Sequence, residues 1–179
     1  MVANMETIIL PNNEIYEMHI PYAEIIKRAQ CISDEINSMY ADKKIVFIGI
    51  LNGCLPFMNL LLNSSNCIYN YDFIKISSYN KSNSCKLRFE LGIKDQIVRN
   101  KDIIIIEDII DSGKTIKYIK KYLNKMNPRS LKVISLLVKN KTFKLSDWYG
   151  FKINDKFVIG FGMDFDGTYR NLNNIYIKK

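Results

Sequence analysis

Four consecutive isoleucines, Ile103 to Ile106, constrain the fold of this chain more than any other feature. β-branched side chains favour strands, and an apolar run without polar alternation needs a strand that is covered on both faces. Such strands are typical of parallel sheets with helices on either side. Further apolar runs and helical patterns alternate along the chain, at residues 45–50, 55–62, 114–126 and 131–138. The pattern therefore predicts an α/β fold with a mostly parallel sheet.

The rest of the chain adds a helix, a strand and a change of pattern. Pro21 is expected to open a helix that runs to about Tyr40. Its predicted apolar face consists of Ile25, Ile26, Ala29, Ile32 and Ile36. Residues 71–78 form a strand candidate, and the polar residues 79–86 predict a long mobile loop because they offer nothing to bury. From Phe143 onward, short strands rich in glycine and aromatic residues indicate an appended lobe.

The net charge of +8 raises the question of nucleic-acid binding. Of the basic residues, 21 are lysine and only 5 are arginine, and isoleucine and asparagine are abundant as well. That combination indicates a compositional bias rather than selection for phosphate contacts. An RNA-binding protein would concentrate its basic residues on one surface, whereas here the lysines are spread along the chain. We therefore expect no nucleic-acid partner.

Composition also argues against a membrane protein and against a zinc protein. No apolar run approaches the roughly 18 residues that cross a bilayer. Residues 1–6 lack the order of a signal peptide, so we expect a cytoplasmic protein without a membrane partner. The four cysteines contain no C-x-x-C pair, and His19 is the one histidine, which leaves little material for a zinc site.

The segment from Glu107 to Thr115 carries the clearest chemical signal. Its end, Gly113-Lys114-Thr115, is like that of a nucleotide-binding P-loop, but Asp108 stands where the P-loop needs a glycine. The small and hydroxyl residues from Asp111 to Thr115 lead into a helix, where free backbone N–H groups can hold one phosphate. Glu107 and Asp108 can accept hydrogen bonds from a vicinal diol or bind a hard cation such as Mg2+. A diol site beside a phosphate site predicts recognition of a ribose 5-phosphate.

The run from Ile103 to Thr115 resembles the phosphoribosyl-pyrophosphate signature of type I phosphoribosyltransferases. The whole chain resembles their 6-oxopurine branch, the hypoxanthine(-guanine) phosphoribosyltransferases. Segments in the family order span about Ile45 to Arg170: Leu51-Asn52-Gly53, Ser77-Ser78-Tyr79, Glu107 to Thr115, Leu136 to Lys139, Lys156 to Gly160, and Asp164 to Arg170. The resemblance implies the type I phosphoribosyltransferase fold, with helices flanking a mostly parallel sheet and a small hood lobe. We expect a single domain over residues 1–179, with a core at about 21–142 and a hood from about 143–179 plus N-terminal residues.

The resemblance also implies how phosphoribosyl pyrophosphate would be bound. Glu107 and Asp108 would bind the ribose hydroxyls and Mg2+. The 5-phosphate would be bound by Asp111, Ser112, Gly113, Lys114 and Thr115. The pyrophosphate would be bound by Arg170 and by a loop of Leu51, Asn52 and Gly53, which in the family contains a non-proline cis peptide. The family usually has lysine or arginine at the centre of that loop, so Asn52 removes one positive charge. Ser78 and Tyr79 match a mobile loop that closes over the site and excludes water.

For the purine, the resemblance implies that Lys139 contacts O6, that Phe157 stacks on the ring and that the Val158 main chain reads the ring edge. Asp164 lies in the same purine-binding set and matches the ligand of a second Mg2+. The reaction implied is displacement of pyrophosphate by purine N9, with Asp111 exchanging a proton with N7 as the catalytic acid/base. The expected partners are phosphoribosyl pyrophosphate and a 6-oxopurine, with a homo-dimer or homo-tetramer as the assembly. The alternatives are an RNA-binding regulator on the same fold, or a transferase for xanthine or another base.

Overall fold

The computed structural model describes residues 6–81 and 84–179. In chain order its elements are β1 (Thr7–Ile9), β2 (Ile15–Ile20), α1 (Tyr22–Met39), β3 (Lys44–Leu51), α2 (Leu55–Asn63), β4 (Ile68–Lys81), β5 (Ser84–Leu91), α3 (Asp95–Val98), β6 (Asp102–Ile110), α4 (Lys114–Asn124), β7 (Ser130–Lys139), a 3-10 turn at Phe143–Leu145, β8 (Trp148–Ile153), β9 (Val158–Ile159) and β10 (Ile175–Lys178). None of the described helices has both the length and the apolar character needed to cross a bilayer.

The larger sheet has six strands in the order β5-β4-β3-β6-β7-β8, and every neighbouring pair is parallel except β4 with β5. The four isoleucines lie in β6, which is one of the two central strands of this sheet. Ile104 and Ile106 pack on the face that α1 and α2 cover. Ile103 and Ile105 pack on the opposite face with the apolar side of α4. The prediction of a strand covered on both faces is confirmed.

The second, smaller sheet is antiparallel and has the order β1-β2-β10-β9. Its own small core contains Leu10, Tyr16, Ile159 and Tyr176. This sheet joins residues from the beginning and the end of the described chain, and we call it the hood. The expected core boundary at about residue 142 falls before β8, which pairs with β7 in the larger sheet.

Three local predictions differ from the structure. Residues 79–86 were expected to form a loop, but β4 continues to Lys81 and pairs with β5 from Ser84, because ladder hydrogen bonds need no apolar side chains. The isoleucine run was expected to be followed by a loop from Glu107 to Gly113, but β6 extends through Ile110, so Glu107 and Asp108 lie within the strand. Ile26, assigned to the apolar face of α1, is 42% exposed, since it lies beside the arc that packs on the sheet.

Candidate functional site

The site lies at the carboxyl edge of the larger sheet, where open α/β sheets bind ligands. The parallel strands β3, β6 and β7 all end at this edge. Leu51-Asn52-Gly53 ends β3, Asp111 to Thr115 follow β6, and Lys139 ends β7. Segments that are far apart in sequence therefore meet because their strands run in one direction.

A pocket of about 570 Å3 opens at this edge. It is lined by Asp108, Ile109, Asp111, Lys139, Lys141, Asp155, Lys156, Phe157, Val158, Met163 and Asp164. Residues predicted to bind ribose, phosphate and purine thus share one cavity between the larger sheet and the segments that lead into the hood. The predicted site residues that are described but do not line it are Glu107, Ser112, Gly113, Lys114, Thr115, Arg170 and the loop of Leu51, Asn52 and Gly53.

Glu107 and Asp108 form an acidic pair at the end of the buried part of β6. Glu107 is only 8% exposed, and its Oε2 has no hydrogen-bond partner among the described residues. Burial, followed by the charge of Asp108, raises the pKa of Glu107 well above its usual value. Burial also raises the pKa of Asp108, although the Ile109 N–H donates to its Oδ1 at 2.7 Å. Among the described residues neither carboxylate forms an ion pair with a lysine or arginine.

The loop from Leu51 to Gly53 packs directly on this acidic pair. The peptide bond between Leu51 and Asn52 is cis, in agreement with the feature that the resemblance implied. A Cβ built on Gly53 would stand 1.6 Å from Asp108 Oδ2, so only glycine leaves room for the carboxylate. On its other side the Gly53 carbonyl abuts Gly162 of the loop that follows β9. The loop is thus held between β6 and the hood.

The segment Asp111 to Thr115 turns from β6 into α4. Gly113 has φ +74° and caps the helix in a left-handed conformation that glycine adopts without strain. The Lys114 N–H donates to Ser112 Oγ at 3.4 Å, and the side chain of Asp111 is exposed. The positive end of the α4 dipole lies here, as an anion-binding segment requires.

Lys139 is buried, being 5% exposed, at the wall of the pocket. Its Nζ donates to the carbonyl oxygen of Asn154 at 2.9 Å and to that of Lys156. Burial lowers the pKa of this lysine. The neighbouring Lys141 forms an ion pair with Asp155 at 2.8 Å, so the end of β7 is fastened to the loop that carries Phe157.

Phe157 is 51% exposed. Its ring makes edge-to-face contacts with the rings of Tyr16 and Phe165, with centroid separations of 6.4 and 6.2 Å. Taken by its residue type alone, Phe157 would be expected in the core, and the structure shows that it is not. Its open ring and the buried Val158 lie together in the pocket lining. The ring is therefore available to a planar ligand.

Asp164 and Arg170 form an ion pair at 2.6 Å near the acidic pair. Arg170 also donates to the Gly162 carbonyl oxygen at 2.7 Å, and its charge acts to lower the pKa of Asp108. Asp164 accepts a hydrogen bond from the Gly167 N–H at 2.8 Å.

Within residues 6–81 and 84–179, no three His, Cys, Asp or Glu side chains cluster as a metal site would. The side chains of Ser78 and Tyr79 lie outside the described part of the chain.

A family model for the phosphoribosyl transferase domain matches residues 12–166. The chain belongs to the phosphoribosyltransferase family. Among curated relatives, hypoxanthine-guanine phosphoribosyltransferase of Bacillus subtilis is 36% identical over 172 residues, which cover 93% of this chain and 95% of that protein. The protein of the same name from Mycoplasma genitalium is 36% identical over 140 residues, covering 76% and 80%.

Solved structures of phosphoribosyltransferases share the fold. A hypoxanthine phosphoribosyltransferase from Staphylococcus aureus has a TM-score of 0.83 at 30% identity and covers 91% of both chains. The Trypanosoma cruzi enzyme in complex with the product IMP has a TM-score of 0.82 at 27% identity, covering 90% of this chain and 93% of that one. The predicted resemblance and the type I phosphoribosyltransferase fold are confirmed.

Sequence reasoning missed part of the pocket of this phosphoribosyltransferase. Ile109, Lys141, Asp155, Lys156 and Met163 line it without having been predicted. Each stands within two residues of a predicted one, but nothing in their types pointed to a site. The signal that could have found Lys141 and Asp155 is their opposite charge on two segments that the resemblance brings together.

Proposed function

We propose that this chain transfers the 5-phosphoribosyl group from phosphoribosyl pyrophosphate to N9 of hypoxanthine or guanine, giving IMP or GMP and pyrophosphate in purine salvage. The observation that carries the proposal is the shared pocket. Asp108 of the acidic pair, Asp111 at the start of the segment that leads into α4, and the buried Lys139 beside the exposed ring of Phe157 line one cavity. Ribose, phosphate and purine are the three chemical groups that such a set can hold.

Selection of a 6-oxopurine follows from Lys139. An ammonium group has three hydrogens to donate. Two of them go to the carbonyl oxygens of Asn154 and Lys156, which leaves one for a ligand in the pocket. A 6-oxo group accepts that hydrogen bond, whereas a 6-amino group would present hydrogens to it, and a buried donor without an acceptor is penalised. Phe157 would stack on the ring, and the main chain at Val158 would contact its edge.

The phosphate end of the substrate fits the segment from Asp111 to Thr115. Ser112, Gly113, Lys114 and Thr115 offer backbone N–H groups, hydroxyls and one ammonium at the positive end of α4. The loop of Leu51, Asn52 and Gly53 contacts Asp108 through Gly53, and the pyrophosphate group would sit beside this loop. Arg170, which donates to the carbonyl oxygen of Gly162 next to Gly53, would release part of its bond with Asp164 to contact that group.

Mg2+ fits the acidic pair. Glu107 Oε2 is buried without a partner, and burial raises the pKa of both Glu107 and Asp108, so a hard cation with oxygen ligands would supply the charge that they lack. Asp164, which lines the same pocket as Asp108, would hold a second ion. When bound, Mg2+ neutralises negative charge on the pyrophosphate leaving group.

The chemistry at C1 then needs few protein groups. The N9 lone pair forms the bond to C1 while the bond from C1 to the pyrophosphate oxygen breaks, and the electron pair leaves with pyrophosphate. Asp111, exposed in the pocket lining, is placed to accept the proton that the purine loses at N7. The surrounding residues orient the base and exclude water from the cation-like sugar.

The test is a spectrophotometric assay with phosphoribosyl pyrophosphate, Mg2+ and one base at a time. Turnover is expected with hypoxanthine or guanine and not with adenine. Xanthine carries the same 6-oxo group, so turnover with xanthine alone would favour a xanthine transferase instead. Absence of turnover with every purine would refute the proposed function. We further propose a homo-dimer or homo-tetramer, which light scattering on the purified protein would test.

A further inference from the structure

The positive charge of the chain is concentrated in residues 112–146. This segment contains ten lysine and arginine residues and no aspartate or glutamate, leaving 16 basic against 18 acidic residues in the rest of the chain. The segment therefore carries a net charge of +10 and the remainder a net charge of −2. The interpretation that the lysines are spread along the chain is wrong for this segment.

Four of these basic residues have partners in the fold. Lys132 pairs with Asp147, Arg129 with Asp102, and Lys141 with Asp155, while Lys139 is buried in the wall of the pocket at the carboxyl edge of the larger sheet. The other six form no ion pair with any carboxylate in the described part of the chain: Lys114, Lys117, Lys120, Lys121, Lys125 and Lys144. Four of them lie on α4, Lys125 follows it directly, and Lys144 lies on the 3-10 turn.

These lysines surround a groove. Lys117, Lys120, Lys121, Asn124, Lys125 and Leu145 line a concavity of about 680 Å3, which we call the lysine groove. Its lining contains no carboxylate. Lys117, Lys121 and Lys125 recur every four residues, so their positions advance by about 6 Å along the helix axis. The result is a row of uncompensated positive charge rather than a single charged point.

We propose that the lysine groove binds the phosphate backbone of single-stranded nucleic acid without sequence preference. A positively charged groove that follows a flexible backbone is the usual electrostatic design for such binding. Lysine supplies point charges without the planar fork that reads base edges, so no preference for particular bases is expected. Tyr118, which is exposed beside the lysines and stacked on Phe89 with centroids 5.1 Å apart, offers an aromatic surface to a neighbouring base.

An acidic membrane surface fits the same charges less well. Helices that lie in a membrane interface insert exposed apolar side chains between their basic residues. The apolar side chains of α4, Ile116, Ile119 and Leu123, are buried in the protein core.

The experiment measures binding of a fluorescein-labelled oligo(U) 20-mer, and of the matching oligo(dT), by anisotropy between 50 and 200 mM KCl. Four lysines that each neutralise one phosphate give a slope of log K against log [KCl] of about −3, which is a loss of affinity of about 60-fold over this range. A variant with K117Q, K120Q, K121Q and K125Q should bring the slope to between about −1 and 0 and lose at least about tenfold in affinity at 50 mM KCl.

The matched control carries K27Q, K43Q, K44Q and K94Q, which remove the same charge from exposed sites elsewhere. It should lose less than threefold, and circular dichroism should show that both variants are folded. The proposal is overturned if both variants lose affinity equally, if IMP displaces the oligonucleotide, if vesicles of anionic lipid bind while the oligonucleotides do not, or if the wild type binds neither oligonucleotide at 50 mM KCl. The readout is binding alone, so it is independent of the proposed function.

Discussion

Replacing Gly53 with alanine should displace the Asp108 carboxylate. The new Cβ would stand 1.6 Å from Asp108 Oδ2 and 2.5 Å from its Cγ, and side-chain atoms do not approach a Cβ closer than 3.0 Å. The loop cannot retreat freely, because its carbonyl abuts Gly162 on the other side. The carboxylate must therefore move by more than about 1 Å. A misplacement of that size costs on the order of 100-fold in rate, or about 2.7 kcal/mol of transition-state stabilisation.

Initial rates of IMP formation over a range of phosphoribosyl pyrophosphate concentrations give the required kcat/KM, and thermal unfolding by circular dichroism separates this effect from loss of fold. Gly92→Ala is the control, because its Cβ would lie 3.2 Å from the Tyr122 hydroxyl, at the end of a side chain remote from the pocket. It should stay close to wild type. A Gly53→Ala enzyme whose kcat/KM falls by less than about threefold would refute the claim that glycine is needed here to place Asp108.

Three further predictions concern proton transfer by Asp111, Mg2+ binding at Glu107 and the stability that Tyr16 contributes to the hood. Asp111→Asn should lower kcat by roughly 100-fold or more while changing KM for phosphoribosyl pyrophosphate far less, and an unchanged kcat would remove the acid/base role. Millimolar Mg2+ should raise the melting temperature of the wild type but not of Glu107→Gln, which lacks one carboxylate charge; equal shifts in scanning fluorimetry would contradict a cation at that residue. Burial raises the pKa of Tyr16 to about 12, so the stability contributed by its protonated phenol is present below pH 10 and lost as the pH rises from 10 towards 12. Between pH 10 and pH 12, the free energy of unfolding measured in urea should therefore fall less for Tyr16→Phe than for the wild type. An equal fall in both proteins would disprove this contribution of Tyr16.

The sheet could be predicted because a strand that is buried on both faces has an uninterrupted run of apolar residues. The isoleucines of β6 form such a run, and they contribute side chains to both hydrophobic cores. The pairing of β4 with β5 could not be predicted in this way, since residues 79–81 and 84–86 are held by backbone hydrogen bonds that polar side chains do not oppose. The strand β8 was assigned to the hood because its glycine and aromatic residues match the pattern of that region. In the structure β8 pairs with β7 in the larger sheet, and amino-acid composition does not specify which strands pair.

The site was predictable to the extent that its residues are adjacent in sequence. Glu107, Asp108 and the following loop could be interpreted from the residues themselves, because a phosphate needs a helix N-terminus and a diol needs carboxylates. Lys139 and Phe157 came only from the resemblance, since a lysine at a strand end and a lone phenylalanine are common. Their meeting depends on two sheets that pack together, and no local pattern specifies that contact.

The hood has a consequence for the order in which this protein can be assembled. The hood strand β2 pairs with β10, which the ribosome delivers about 150 residues later, and β9 joins through β10. The parallel strands β3, β6 and β7 are all synthesised before that point and can pair with one another. During synthesis the acidic pair and the phosphate segment can therefore form while the wall around Phe157 and Val158 is still missing. Under the proposed function, a nascent chain at that stage would contain the segments that bind a sugar phosphate before it has a complete site for a purine.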